Sequence, residues 1–229
     1  MKVKAHVEYE IKLDGCSYLL DNKKFQLLEN ILNTGSITQA SKLSGISYKT
    51  ALNYIDKIES NLNTKIVKTT KGGSGGGGGS KLTEEGLFIL KECKKISIIT
   101  ELTKKRNEII STVYKTDEDE GIMYLEMDEY NIEIPLNKNY KVGEKVLALI
   151  RYDNIFLMNE PVNSSIKNVF KGTITELKLH RGMLRVRTQI GQTDFYCDMA
   201  TSNQKDLNLT IGKEIYLGFN AMSVATLKL

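Results

Sequence analysis

The stretch Lys68-Thr-Thr-Lys-Gly-Gly-Ser-Gly-Gly-Gly-Gly-Gly-Ser-Lys-Leu-Thr-Glu-Glu-Gly86 decides how the chain divides. Residues 72–80 hold only glycine and serine, which suits either a flexible tether or the tip of a hairpin. A tether separates finished domains. Here Lys65-Ile-Val-Lys-Thr-Thr70 on one side and Lys81-Leu-Thr83 on the other read as single short strands that need each other. Nor is this a phosphate loop, which requires Gly-Lys-Ser/Thr where the run ends Ser80-Lys81-Leu82. The reading is one hairpin with a glycine tip, flanked by Lys68, Lys71 and Lys81.

Upstream, the pattern is helical. Phe25, Leu27, Leu28, Ile31 and Leu32 make an apolar face over 22–33. Ser36, three residues before Gln39, caps a second helix that Gly45 ends. Ser47 caps a third, whose buried face is Ala51, Leu52, Ile55, Ile58 and Leu62. Two helices about a tight glycine turn form a helix-turn-helix, and the hairpin after them is its wing. Ser47, Tyr48, Lys49, Thr50 and Asn53 then lie where base edges are read, and Lys57, Lys68, Lys71 and Lys81 where phosphates are met. Many small helical domains contain a similar corner, so periodicity alone does not make this a DNA reader. Two short strands, over 2–20 and turning at Asp14-Gly15, precede the helices.

Downstream, residues 84–115 read as one long helix with a stripe at Ile89, Cys93, Ile96, Ile99, Leu102, Ile109 and Val113. It serves either as a dimer contact or as a helix folded back on its own domain. Residues 116–120 then read as an acidic linker. Beyond them the period changes to two, and short strands at regular spacing predict a small OB-type β-barrel over 121–229. Two similar approaches, KVGEKVLALI and LTIGKEIYLGF, are its only visible repetition. The fold class is α+β and multidomain: residues 1–83, the helix 84–115, the linker, and the barrel.

With 41% hydrophobic and 26% charged residues the composition is globular. No run of about 18 uncharged apolar residues is present, so no membrane span is expected. The N-terminal MKVKAHVEYEIKL alternates like a strand and lacks an apolar signal core, so no secretory signal is expected. Three distant cysteines suit reduced thiols in a cytoplasm. Residues 1–115 hold 19 Lys and Arg against 12 Asp and Glu, and residues 116–229 hold 13 against 16. The first part suits a polyanionic partner or a merely solvated surface. His6 and His180 have no ligand-spaced neighbours, and no catalytic motif is present. No enzyme, cofactor or metal is expected. Three polar runs, 163–168, 200–203 and 219–223, supply hydroxyls, amides, backbone N–H groups and one lysine. They suit a small tetrahedral oxyanion, or are ordinary turns.

Over roughly residues 10–90, "GSITQASKLSGISYKTALNYID" and "GGSGGGGGSKLTEEG" resemble the N-terminal domain of the molybdate-dependent ModE regulators. There a winged helix-turn-helix leads into a dimerising helix. "SIKNVFKG" at 165–172 and "NLTIGKEIYLGFNAMSV" resemble the molybdate-binding Mop, or transport-associated OB (TOBE), domain. Residues 121–160 resemble the stretch before that motif in ATPase subunits of molybdate importers, implying one composite barrel per chain. The resemblance implies oxyanion contacts at Ser165, Ile166, Lys167, Thr201, Ser202, Asn220 and Ala221. Lys167 replaces the more usual arginine, and Asn220 stands where the family often has lysine. The family's sites form where Mop domains meet, so ligand binding implies association of chains. The resulting expectation is a cytoplasmic homodimer that binds operator DNA and senses molybdate or tungstate. The alternatives are a regulator whose β domain senses another ligand or only oligomerises, and an oxyanion storage protein.

Overall fold

The structure, a computed structural model, describes residues 7–70 and 79–229. His6, Lys71 and all but the last two residues of the expected wing tip lie outside the described residues. The chain forms two compact units, Met1–Thr100 and Glu101–Leu229.

The first unit opens with the hairpin β1 (Tyr9–Leu13) and β2 (Cys16–Leu20). Its two-residue turn places Asp14 and Gly15 at φ 48° and 83°, the positive-φ pair such turns require. Three helices follow, α1 (Asn22–Thr34), α2 (Ile37–Leu43) and α3 (Tyr48–Leu62). Each begins at a side-chain cap: Asp21, Ser36 and Ser47 accept from the backbone N–H groups of Lys24, Gln39 and Thr50. Gly45, at φ 66°, makes the turn between α2 and α3, where Ile46 N–H donates to the Ser41 carbonyl at 3.0 Å. Leu27, Leu28, Ile31, Ala40, Ala51 and Ile58 are fully buried together. Leu52, expected among them, is half-buried at the edge of this core. After α3 come β3 (Val67–Thr70) and β4 (Gly79–Leu82), paired antiparallel with Lys68 opposite Lys81.

The next helix, α4, runs from Glu84 to Thr103, not to 115. Of the expected stripe only Ile89 and Cys93 are buried in this helix, while Ile96, Ile99 and Leu102 are exposed. From Asn107 the inward residues are Asn107, Ile109, Ser111 and Val113, a period of two that makes β5 (Arg106–Asp117) a strand. Ile109 and Val113 also fit a four-residue step, which is why the helical reading ran on. The acidic segment 116–120 is no linker. It holds the end of β5 and the turn into β6, where Glu120 N–H donates to Asp117 Oδ1 at 3.1 Å.

The second unit contains β6 (Ile122–Met127), β7 (Tyr130–Pro135), β8 (Lys145–Arg151) and β9 (Phe156–Met158). It continues with β10 (Asn168–His180), β11 (Met183–Ile190), β12 (Thr193–Met199), the short α5 (Asn203–Asp206), β13 (Glu214–Phe219) and β14 (Val224–Lys228). These form two five-stranded antiparallel sheets, β14-β8-β5-β6-β7 and β12-β11-β10-β13-β9, over one shared core. The single barrel expected from the sequence is therefore two sheets.

The two sheets are a repeat with exchanged last strands. β5–β9 and β10–β14 follow the same order, but β9 pairs with β13 and β14 with β8. Details coincide. Each long strand bulges one step after its fourth inward residue, between Val113 and Lys115 and between Ile174 and Glu176. Gly143 N–H donates to the Val113 carbonyl and Gly212 N–H to the Ile174 carbonyl, both at 2.8 Å. A buried asparagine starts each repeat. Asn107 Oδ1 accepts from Tyr196 N–H at 2.7 Å and its amide donates to the Tyr196 carbonyl at 3.0 Å. Asn168 makes the same pair with Glu133, at 2.7 and 2.8 Å. Each asparagine thus clips its repeat to the third strand of the other. Among the described residues no helix is long and apolar enough to cross a membrane.

Candidate functional site

Two groups of candidate site residues are placed by the structure, one in each unit. In the first unit, Lys49, Asn53 and Lys57 are exposed and lie four residues apart along α3, hence on one face. Tyr48 is 49% exposed beside them. Ser47 and Thr50 are engaged in the cap, with Oγ and Oγ1 2.8 Å apart, so these hydroxyls hold the helix start. Lys68 and Lys81 face solvent side by side on the hairpin.

The hairpin is held in place by residues that sequence reasoning passed over. Glu59, 7% exposed, accepts from the N–H groups of Ile66 and Val67 at 2.9 and 3.1 Å and also bonds Lys65. This ties β3 to the last turn of α3. Thr83 Oγ1 donates to the Lys65 carbonyl at 2.7 Å and accepts from Gly86 N–H at 3.0 Å. A β-carbon on Gly86 would lie 2.3 Å from the Ile66 carbonyl oxygen. The Leu-Thr-x-x-Gly spacing is therefore a joint: threonine caps α4, and the missing side chain lets α4 lie flush on the residue before β3. That spacing was the signal available for the joint. Glu59, midway in a polar run, gave none.

In the second unit, Ser165, Ile166 and Lys167 lead directly into β10, and Asn220 and Ala221 follow directly on β13. Asn168 pairs with Phe219, so Lys167 and Asn220 stand at the next step of the same register. A β-carbon on Gly218 would meet Ile166 Cγ2 at 3.1 Å, which places the segment against the end of β13. Ser165 and Lys167 are exposed, and Lys167 has no ion pair among the described residues. Asn220 Oδ1 accepts from Met222 N–H at 2.8 Å and begins a single 3-10 turn, Ala221–Ser223. This part of the expected cluster is brought together.

Thr201 and Ser202 are not part of it. They follow Met199, which pairs with Leu184 near the C-terminal end of β10, opposite to the end that Lys167 enters. The three polar runs do not converge within one chain, because the antiparallel order of β10, β11 and β12 returns the chain to the far end of the sheet.

Asn168 is 2% exposed and connects this segment to β7. Asn168→Ala would strand the Glu133 N–H and carbonyl and remove two hydrogen bonds, a loss of about 2–3 kcal/mol of stability. Denaturant unfolding measures this, and the expected cost for Asn107→Ala is the same. The repetition Arg106-Asn-x-Ile and Lys167-Asn-x-Phe was the signal for this pair in the sequence.

Burial pushes the Cys93 thiol up to about 11 and the Cys197 thiol up to about 12, so both stay protonated at neutral pH. Among the described residues no three His, Cys, Asp or Glu side chains are placed to hold a metal.

Comparison with known proteins gives three kinds of likeness. Residues 164–226 match the model of the TOBE domain. The chain is 24% identical over 245 aligned positions to the transcriptional regulator ModE of Yersinia pestis, covering 90% of this chain and 93% of that protein. It is 26% identical over 101 residues to the molybdenum import ATP-binding protein ModC of Haemophilus ducreyi, and over 100 residues to the molybdate/tungstate import ATP-binding protein WtpC of Pyrococcus abyssi. These matches take in 44% of this chain and only 29% and 28% of the two transporter subunits. The cytoplasmic molybdate-binding protein ModG, solved with molybdate bound, superposes with a TM-score of 0.46 at 15% identity, covering 53% of this chain and 95% of that one.

Proposed function

We propose that the protein is a DNA-binding regulator whose first unit is a winged helix-turn-helix and whose second unit binds molybdate. The observation that carries this reading is the full-length likeness to a ModE regulator, spanning both units. The arrangement of each unit supports it independently. α2 and α3 meet at a glycine turn, α3 presents Lys49, Asn53 and Lys57 on one exposed face, and a lysine-bearing hairpin follows. A helix so exposed fits a major groove, with Tyr48, Lys49 and Asn53 at base edges and Lys57, Lys68 and Lys81 at phosphates. Lys71, from the sequence, belongs with the phosphate contacts.

The ligand reading rests on the TOBE match and on the site it covers. A tetrahedral dianion needs several short donors and little excess positive charge. Ser165, Lys167, the Asn220 amide and the backbone around Ile166 and Ala221 offer such a set. Thr201 and Ser202, at the other end of the sheet, would complete the site of a second chain. Tungstate, of the same shape and charge, is accepted on the same donors. No catalytic step is assigned.

The dimer reading rests on α4. Phe88, Ile98 and Ile99 are 61%, 54% and 59% exposed, and with Leu87, Ile96 and Leu102 they leave an apolar surface facing water. We assign its cover to a second copy of this helix. Ile99→Asp is expected to halve the solution mass measured by light scattering. An unchanged dimer would place the interface elsewhere.

Two experiments test the whole. Calorimetric titration with molybdate should give sub-micromolar binding and sulfate none, while silence with both would remove the sensor reading. Selection of duplexes from a random library, followed by anisotropy, should yield a preferred site. Lys49→Ala should weaken binding to it by roughly 10-fold or more. A variant that binds as tightly as the parent would sink the placement of α3 in the groove.

A further inference from the structure

The exchanged-strand repeat gives each chain two equivalent positions for the proposed oxyanion, and the structure treats them differently. The equivalence is set by register. Asn107 pairs with Ile150 and Asn168 with Phe219. One step further, Arg106 pairs with Arg151 where Lys167 meets Asn220. Hence Lys104, Lys105 and Arg106 correspond to Ser165, Ile166 and Lys167, and Arg151 and Tyr152 to Asn220 and Ala221.

In the first repeat every one of these cations already has a carboxylate. Lys104 bonds Glu101, Arg106 Nε lies 2.9 Å from Glu108, and Arg151 Nε donates to Asp153 at 2.9 Å. Lys105 lies 3.3 Å from Asp198. The Asp198 side chain is 3% exposed and held in bidentate fashion by Arg185, at 2.7 and 2.8 Å. Tyr152 occupies the place of Ala221. Its ring lies 4.8 Å from the Arg185 guanidinium and 5.5 Å from the Tyr196 ring. Burial raises the Asp198 carboxyl, but Arg185 and then Lys105 outweigh it and hold the group below its ordinary value. It is therefore an anion at neutral pH. The two residues equivalent to Ile166 and Ala221 both meet the Arg185–Asp198 pair. In the second repeat the counterparts of Lys105, Asp198 and Arg185 are Ile166, Pro135 and Ile122, which carry no charge and form no such pair.

We infer that only the second repeat of each chain takes an oxyanion, and that in the first repeat the equivalent position is filled from within by the Asp198 carboxylate and the Tyr152 ring. This rests on the reading of residues 165–167 as an oxyanion segment. The first repeat then serves as a permanently loaded half, neutralised without ligand, and only the second responds to its concentration.

The test is equilibrium dialysis of the full chain against molybdate, with Lys167→Ala and Arg106→Ala beside the parent. The expected results are one ion per chain at saturation, affinity lowered roughly 10- to 100-fold by Lys167→Ala, and affinity within about 2-fold of the parent for Arg106→Ala. Two ions per chain would overturn the inference, as would equal damage from the two variants. A parent that binds no molybdate at all would instead withdraw the oxyanion segment itself, a result distinct from either. A second arm needs no molybdate. Asp198→Asn frees Arg185 and Lys105, so its melting temperature should fall in anion-free buffer and recover with millimolar inorganic phosphate more than the parent's rises. A drop that phosphate does not offset would show that Asp198 is not standing in for an anion.

Discussion

Gly86→Ala is expected to destabilise the first unit by about 3 kcal/mol or more, at the upper end of what overpacking costs. The new methyl would lie 2.3 Å from the Ile66 carbonyl oxygen and 3.1 Å from its carbonyl carbon. Both are backbone atoms, so no rotamer change relieves the clash. Ile66 is itself fully buried, and its N–H is bound by Glu59 while its carbonyl accepts from Thr83 N–H. Relief therefore requires α4 to lift from Ile66, the residue before β3. The joint between helix and hairpin should loosen before the helical core does. Thermal unfolding measures the loss, and hydrogen exchange locates it at Ile66, Val67 and the first turn of α4. A variant as stable as the parent would mean that α4 does not lie flush here.

Lys167→Ala is expected to carry the largest functional loss, roughly 10- to 100-fold in molybdate affinity. Lys167 is exposed and has no ion pair among the described residues, whereas its counterpart Arg106 is bound to Glu108. Removing it withdraws a cation without an ion pair at the start of β10 and strands no internal partner. Stability should therefore remain within about 0.5 kcal/mol of the parent. Loss of affinity without loss of stability is what separates a ligand contact from a structural lysine. Lys167→Arg should retain binding, since a guanidinium serves the same anion with more donors.

The helical part of the fold was legible because each of its signals is local. The caps at Ser36 and Ser47, the glycine turn at Gly45 and the Asp14-Gly15 hairpin each occupy four residues or fewer. The end of α4 was misread because Ile109 and Val113 satisfy both periods, and the decision belongs to Asn107, whose partner Tyr196 lies 89 positions away. The second unit was legible as strands but not as a repeat. Strand exchange joins β14 to β8 across more than seventy residues, and only fragments of the repeat survive in the side chains.

The candidate sites followed the same division. Lys49, Asn53 and Lys57 share a face because helical spacing is arithmetic. Ser165–Lys167 and Asn220–Ala221 come together as expected, because both adjoin one strand pair. Thr201 and Ser202 do not join them, because strand order decides which end of a sheet a loop leaves. The asymmetry between the two repeats rests on Asp198 and Arg185, which in the sequence are two unremarkable charges on neighbouring strands.

In the proposed regulator, an oxyanion held by the second unit alters what the first unit does to DNA. The most direct measurement is the affinity of the full chain for its selected duplex, taken without ligand, with molybdate and with sulfate at one ionic strength. The expected result is at least a 5-fold difference between the molybdate and ligand-free values, the lower range of ordinary coupling, with sulfate leaving the ligand-free value in place. Equal affinities in all three conditions would contradict it.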